Sequence, residues 1–191
     1  VMDHMFLDGL EDAYEPGKAM GVFAEETAGE YQFTRAAQDD YAIASLTRAQ
    51  AAQQSGAFDR EIVAVEVKGR KGVETIDKDE QPLKGDASKI PTLKPAFVKD
   101  GTITAANASS ISDGAAALVM TRESVAAAKG LKPVARIIAT AAHAHAPARF
   151  TTAPVNAIEK ALAKAGWKAS EVDLFEVNEA FACVSMIAMH D

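Results

Sequence analysis

Asn178 follows the apolar run Asp173–Val177 and precedes an apolar helical pattern, so it stands where a strand is expected to hand over to a helix. A side-chain amide at that junction can hold a water or an oxyanion without itself titrating. It would lie near free helix N–H groups and a positive dipole end, in the crevice where α/β sheets bind ligands. Asn also caps helices routinely, and that plainer reading fits the same spacing. A second candidate is the stretch TAANASSISDGAAALVM, Thr104 to Met120. Its small side chains would let a ligand approach the backbone closely. Ser109 and Ser110 could hydrogen-bond an amide-bearing ligand, although a tightly packed turn explains the same residues. His143 and His145, two apart, would share one side of an extended segment, but no further Cys or His nearby completes a metal site. His4 and His190 lie near the ends and look incidental.

Charge adds a third feature. Between Lys68 and Lys99 there are eight Lys or Arg and five Asp or Glu, a local excess of +3 in a chain of net charge −7. A basic island of this kind could seat a small anion such as a nucleotide phosphate, or be a solvated surface. The acidic remainder argues against a general nucleic-acid binder. One cysteine, Cys183, excludes an internal disulfide framework and fits a reducing compartment. No stretch reads as a bilayer span or a signal peptide. The opening VMDHMFLDGL already lies inside an apolar pattern, so a native N-terminus is not expected there.

The elements that must position these residues fall into three zones. Up to about residue 56 the chain reads as helical. Met20, Ala24, Thr27, Ala28 and Tyr31 share one helix face. Thr34 is placed to cap a long helix through Gln54 that Gly56 ends. The second zone is extended and turn-rich. EIVAVEV reads as a strand, KGRKG as a turn and VETID as a shorter strand. Residues 78–101 then show little periodicity, which is uncommon in a compact protein and often functional. The third zone alternates strand and helix. GAAALVM, VARIIATAA and DLFEV read as buried strands. Thr121 is expected to cap a short helix that Gly130 ends, and Ser170 a brief turn. Pro154 suits the first turn of a helix whose buried face is Ala157, Ile158, Ala161, Leu162 and Ala165. Trp167 reads as a packing anchor. Alternating apolar strands and helices indicate an α/β layered fold.

NEAFA at Asn178 to Ala182 and TAANASSISDGAAA from Thr104 together resemble the thiolases, in particular their acetyl-CoA acetyltransferase branch. DGLEDAY, MGVFAEETA, QDDYAIASLTRAQAA and LKPAF agree with that family in the same order, so the resemblance runs from about residue 1 to 189. It implies an incomplete, layered αβαβα fold with an inserted α+β loop domain. Residues 1–112 would be most of that loop domain, binding CoA and making the tetramer contact. Residues 113–133 would end the first thiolase half and 134–191 begin the second. The implied chemistry is Claisen condensation of two acetyl-CoA molecules to acetoacetyl-CoA, or the thiolytic reverse. CoA thioesters are substrates, with no separate cofactor or metal. A dimer or tetramer is the implied assembly and the cytoplasm the implied location; no nucleic-acid or membrane partner is expected. Degradative 3-ketoacyl-CoA thiolase is the alternative within the family, and a non-catalytic CoA-binding or oligomerisation module the alternative outside it.

Carried over residue by residue, Asn178 matches the family Asn that holds a water in an oxyanion hole. Ser109 matches the serine that bonds the pantetheine arm, and Ala105, Ala108, Ile111 and Phe97 line the same tunnel. Leu10, Met20, Phe150, Ala180 and Phe181 match further wall positions. Lys84, Gly85, Asp86 and Lys89 fall where related enzymes contact the CoA nucleotide end, where lysine ammonium groups can act as point charges on phosphate. The loop HAHAPARF would lie near the acyl pocket. Ala19 and Leu46 depart from branches that carry His and Tyr there. The family's nucleophilic cysteine would precede this segment. Its Gly-His-Pro histidine and second cysteine would follow it. The chain holds none of the three and is therefore expected to be an inactive central fragment. Cys183 is expected to be a buried structural thiol.

Overall fold

A computed structural model describes all residues, 1–191, and the chain divides into two compact units. The first comprises Val1–Ser109 with Glu179–Cys183. It opens on α1 (His4–Gly9), whose first turn is satisfied by the Asp3 carboxylate accepting from the Met5 and Phe6 amides. Helix α2 (Met20–Glu30) buries Gly21, Phe23, Ala24, Thr27 and Ala28. This is the face expected from spacing, with Met20 and Tyr31 half-buried at its margins. The buried Thr27 hydroxyl donates to the Phe23 carbonyl at 2.9 Å, so it costs the core no unsatisfied group.

Helix α3 (Arg35–Gln54) starts where expected: Thr34 Oγ1 accepts from the Ala37 amide at 3.1 Å. Gly56, with φ +70°, takes the left-handed conformation that stops it. A β-hairpin follows, β1 (Val65–Gly69) antiparallel to β2 (Gly72–Ile76), with Val65 opposite Ile76 and Gly69 opposite Gly72. The first strand is shorter than the run EIVAVEV and starts at Val65. Every residue of β1 is exposed. The irregular stretch resolves into α4 (Glu80–Lys84) and a 3-10 turn at Ala87–Thr92, capped by Asp79 and Asp86.

The second unit comprises Ser110–Asn178 with Val184–Asp191. It contains α5 (Glu123–Ala128) and α6 (Ala153–Ala165). In α6 the residues Ala157, Ile158, Ala161, Leu162 and Ala165 are half-buried while Glu159, Lys160, Ala163 and Lys164 are exposed, so the expected face is the more sheltered one, but none of it is buried. Pro154 lies in its first turn, and Gly166 closes it at φ +71°. The last helix, α7 (Ala182–His190), buries Ala182, Cys183, Val184, Ser185 and Ile187.

Several expectations fail in this region. GAAALVM, VARIIATAA and DLFEV form no strand; the hairpin is the only ladder in the chain. They are not buried either: Val119 and Val134 are fully exposed and Leu174 is 85% exposed. A strand needs a neighbour to take its N–H and C=O groups, and none runs beside these segments. Helix α5 is preceded by Arg122 rather than Thr121, and no side chain caps it. Ser170 lies inside a 3-10 turn, where the Glu171 carboxylate accepts from the Lys168 amide at 2.6 Å. Trp167 is half-exposed and anchors no core.

Candidate functional site

Residues far apart in sequence meet in the first unit. Ala108 and Phe181 form an isolated antiparallel bridge. The Ser109 amide donates to the Ala180 carbonyl at 3.0 Å, and the Ala182 amide donates to the Asn107 carbonyl at 2.8 Å. Phe97 packs edge-on to Phe181 with ring centroids 6.0 Å apart, a favourable quadrupolar arrangement. Gly21 backs the same ring: a Cβ there would fall inside Phe97. Beside it, the Met20 amide donates to the Leu10 carbonyl at 2.9 Å, joining those two positions. The arrangement is a wall of small and aromatic residues on which Ser109, though held through its amide, keeps its side chain exposed. Ala105 is exposed on the turn before the bridge.

The bridge explains why Asn178 does not open a helix. The Ala180 carbonyl and the Ala182 amide bond the 107–109 segment, and α7 starts only at Ala182. Asn178 itself is exposed in the coil before it. The expectation of a helix start near Asn178 is corrected accordingly.

A polar network that sequence patterning did not single out holds the loop. The Glu25 carboxylate accepts from the Thr102 amide at 2.9 Å, the Thr102 hydroxyl at 2.8 Å and the Ile103 amide at 2.8 Å. Gln38 Nε2 donates to the Thr102 hydroxyl at 2.8 Å. Asn107, buried, turns the chain: its Oδ1 accepts from the Thr104 amide at 2.7 Å and its Nδ2 donates to the Thr102 carbonyl at 3.0 Å. The same Nδ2 reaches Asp39 Oδ1 at 3.4 Å, and Asp39 Oδ2 accepts from Arg35 Nε at 2.7 Å. Only the small-residue composition of the loop hinted at these supports.

The basic segment is held by α3 as well. Gln50 Nε2 donates to the Pro82 and Gly85 carbonyls at 2.9 and 3.1 Å. The Arg35 guanidinium donates to those of Ile90 and Leu93. Gly85 lies against the Leu46 side chain, which would have to shift to admit a Cβ. Lys84 pairs with Glu80 at 3.3 Å and Lys89 with Asp86 at 3.2 Å, so two of the island's ammonium groups already face carboxylates. The Ser88 hydroxyl, and after it Lys89, hold the Asp86 carboxyl below the usual range.

Residues 1–124 match the thiolase N-terminal domain and residues 131–191 the thiolase C-terminal domain. This chain belongs to the thiolase family. Among curated relatives it is 50% identical over 186 residues to a probable acetyl-CoA acetyltransferase of Dictyostelium discoideum, covering 97% of this chain and 45% of that protein. Among solved structures it resembles the Bacillus anthracis acetyl-CoA acetyltransferase, with TM-score 0.88 and 41% identity over 95% of this chain and 46% of the other. Human mitochondrial 3-ketoacyl-CoA thiolase gives TM-score 0.89 and 35% identity over 98% and 47%. The fold is thus a mixed α/β thiolase fold, and the chain spans about half the length of the curated relatives it matches.

The remaining thiolase-matched positions lie in the second unit. Ile111 is 65% exposed in the segment after the bridge, and Phe150 is half-buried in the 3-10 turn Pro147–Thr152. The imidazoles of His143 and His145 do share one side, their centroids 4.8 Å apart. Lys160 Nζ meets His143 Nδ1 at 2.9 Å, and His145 Nε2 meets the Arg149 carbonyl at 2.7 Å. Burial, then Lys160 and His145, push the His143 imidazole below its usual pKa. Cys183 is fully buried with Sγ 3.9 Å from the Ala24 carbonyl, as a structural thiol should be.

Proposed function

We propose that this thiolase chain supplies the CoA cradle of an acetyl-CoA C-acetyltransferase, which condenses two acetyl-CoA molecules or runs the thiolytic reverse. The observation that carries the reading is the bridge between 107–109 and 180–182 backed by Phe97, because it assembles the matched pantetheine positions from separate segments. Ser109 bonds the pantetheine amide, and Ala105, Ala108, Phe97, Leu10, Met20, Ala180 and Phe181 line the arm. Lys84, Gly85, Asp86 and Lys89 face the nucleotide end. Asn178 holds a water that stabilises negative charge on the thioester oxygen as the enolate develops.

In this reading residues 1–112 act as the loop domain that binds CoA and makes tetramer contacts, 113–133 end the first layered half, and 134–191 begin the second. The one cysteine, Cys183, is buried, which does not suit a thiolate nucleophile; by the thiolase resemblance the nucleophile, the Gly-His-Pro histidine and the second cysteine are not among these residues. The protein works in the cytoplasm as a dimer or tetramer. The TM-score of 0.89 to human mitochondrial 3-ketoacyl-CoA thiolase, close to that for the acetyltransferase, supports a second reading, in which longer 3-ketoacyl thioesters are cleaved.

Calorimetric titration of the chain with CoA tests the cradle. Ser109→Ala is expected to weaken binding about 2- to 10-fold, the worth of one hydrogen bond of ~0.5–1.5 kcal/mol. An unmodified chain that takes up no CoA, or binding indifferent to both Ser109→Ala and Phe97→Ala, would sink the proposal.

A further inference from the structure

Glu179 sits between the two backbone bonds of the bridge and Asn178, and each oxygen of its carboxylate accepts a hydrogen bond. Tyr41 Oη donates to Oε1 at 3.0 Å and Ser45 Oγ donates to Oε2 at 3.0 Å. The two donors are four residues apart, hence on one face of α3. Two residues before Tyr41 the same helix presents Asp39, which accepts from Asn107 on the opposite segment of the bridge. Helix α3 therefore grips both partners: residue 107 through Asp39, and residue 179 through the hydroxyl pair. A single antiparallel bridge has only two backbone bonds to define its register, and a one-residue slip would turn Phe181 away from Phe97.

We infer that Glu179 is a positioning residue, which fixes the register of the 180–182 segment against 107–109 through Tyr41 and Ser45 and so shapes the wall on which the pantetheine arm lies. The inference rests on the CoA-cradle reading for its ligand, but its structural half stands on the hydrogen bonds alone. Each hydroxyl bond goes to an ionised carboxylate, the stronger class of hydrogen bond. Glutamine at 179 would keep one acceptor oxygen and lose the other.

The test uses the 191-residue chain with two readouts, amide hydrogen exchange and CoA affinity. In the double variant Tyr41→Phe, Ser45→Ala, exchange at the Ser109 and Ala182 amides is expected to quicken about tenfold, with Ala24 and Ala28 of α2 unchanged. Glu179→Gln should fall between that variant and the unaltered chain. CoA binding should weaken in the same order. Unchanged exchange at Ser109 and Ala182 in both variants overturns the clamp. Equal quickening at Ala24 and Ala28 also overturns it, because the effect would then be global. Faster exchange with CoA affinity unaltered refutes the positioning role. An unaltered chain that binds no CoA sinks the cradle reading and the ligand half of the inference, while exchange still decides whether Glu179 sets the register.

Discussion

Glu25→Ala should loosen the loop that carries Ala105 to Ser109 without disturbing α2, on which Glu25 lies. The carboxylate receives three groups, the Thr102 amide, the Thr102 hydroxyl and the Ile103 amide, all within 2.9 Å. Hydrogen bonds to a charged group contribute about 1.5–3 kcal/mol each, so a simple sum overstates the loss. Thr102 is half-buried and its groups can be rehydrated once the carboxylate is gone. Ile103 is fully buried, and its orphaned amide faces a desolvation penalty of about 1–3 kcal/mol. Together these place the local cost near 2–4 kcal/mol. Glu25→Gln, which keeps one acceptor oxygen, should cost about half as much. Amide exchange measured by NMR reads the effect directly at Ile103 and Thr104, where ~2–4 kcal/mol corresponds to a quickening of about 30- to 1000-fold. Exchange at those two amides within a factor of three of the unaltered chain would show that Glu25 does not hold the loop.

Three further outcomes can be checked. Gly21→Ala puts a methyl group into the Phe97 ring and should cost about 1–3 kcal/mol by overpacking, seen as a lower urea midpoint together with altered Phe97 ring contacts to Phe181 in NOE spectra. Thr34→Ala removes the α3 cap and should cost about 1 kcal/mol in the same denaturation assay, whereas Thr34→Ser should be nearly neutral. His143, whose imidazole titrates below its usual 6.5, is held neutral in the fold. Its contribution is therefore present above the unfolded value and lost as pH falls through the lower folded one. Stability against urea should decline below pH 6.5, and His143→Gln should flatten that decline.

Local signals made much of the first unit legible. Thr34 before a long amphipathic run and Gly56 after it give α3 its ends, because cap chemistry is read from neighbours in sequence. The apolar faces of α2 and α6 follow the helical period for the same reason. Phe97, Ala108, Ser109, Ala180 and Phe181 were picked out by motif resemblance, and the bridge does bring them together. The strands around Val119, Val134 and Leu174 were misplaced because apolar composition reports what could be buried, whereas a ladder depends on a partner. Asn178 was put at a helix start because a polar residue after an apolar run is a good local cap signal. The competing bonds of Ala180 and Ala182 come from residues seventy positions away, and no window of sequence contains them. Glu25 and Glu179 look like ordinary solvated acids in sequence; only the donors 77 and 138 residues distant give them roles.

The long-range polar contacts missed in sequence lie largely on α3. Its residues Arg35, Gln38, Asp39, Tyr41, Ser45 and Gln50 reach segments at 82–93, 102–107 and 179 by hydrogen bonds rather than by apolar packing. A helix used this way carries a weak apolar stripe, and only Gln38, Asp39 and Ala42 are buried on it. Directional bonds fix a loop's position more sharply than apolar contact does, since each has a narrow range of length and angle. Those between neutral groups contribute about 0.5–1.5 kcal/mol apiece and those to a charged group about 1.5–3, and each leaves a costly orphan when one partner is lost. Loops hung from such a helix can therefore be well placed and still open locally at low cost while α2 and its buried face stay closed. In the CoA-cradle reading that combination suits a wall that admits and releases a long flexible arm, and it makes the polar face of α3, more than the apolar core, the feature on which the geometry of this wall depends.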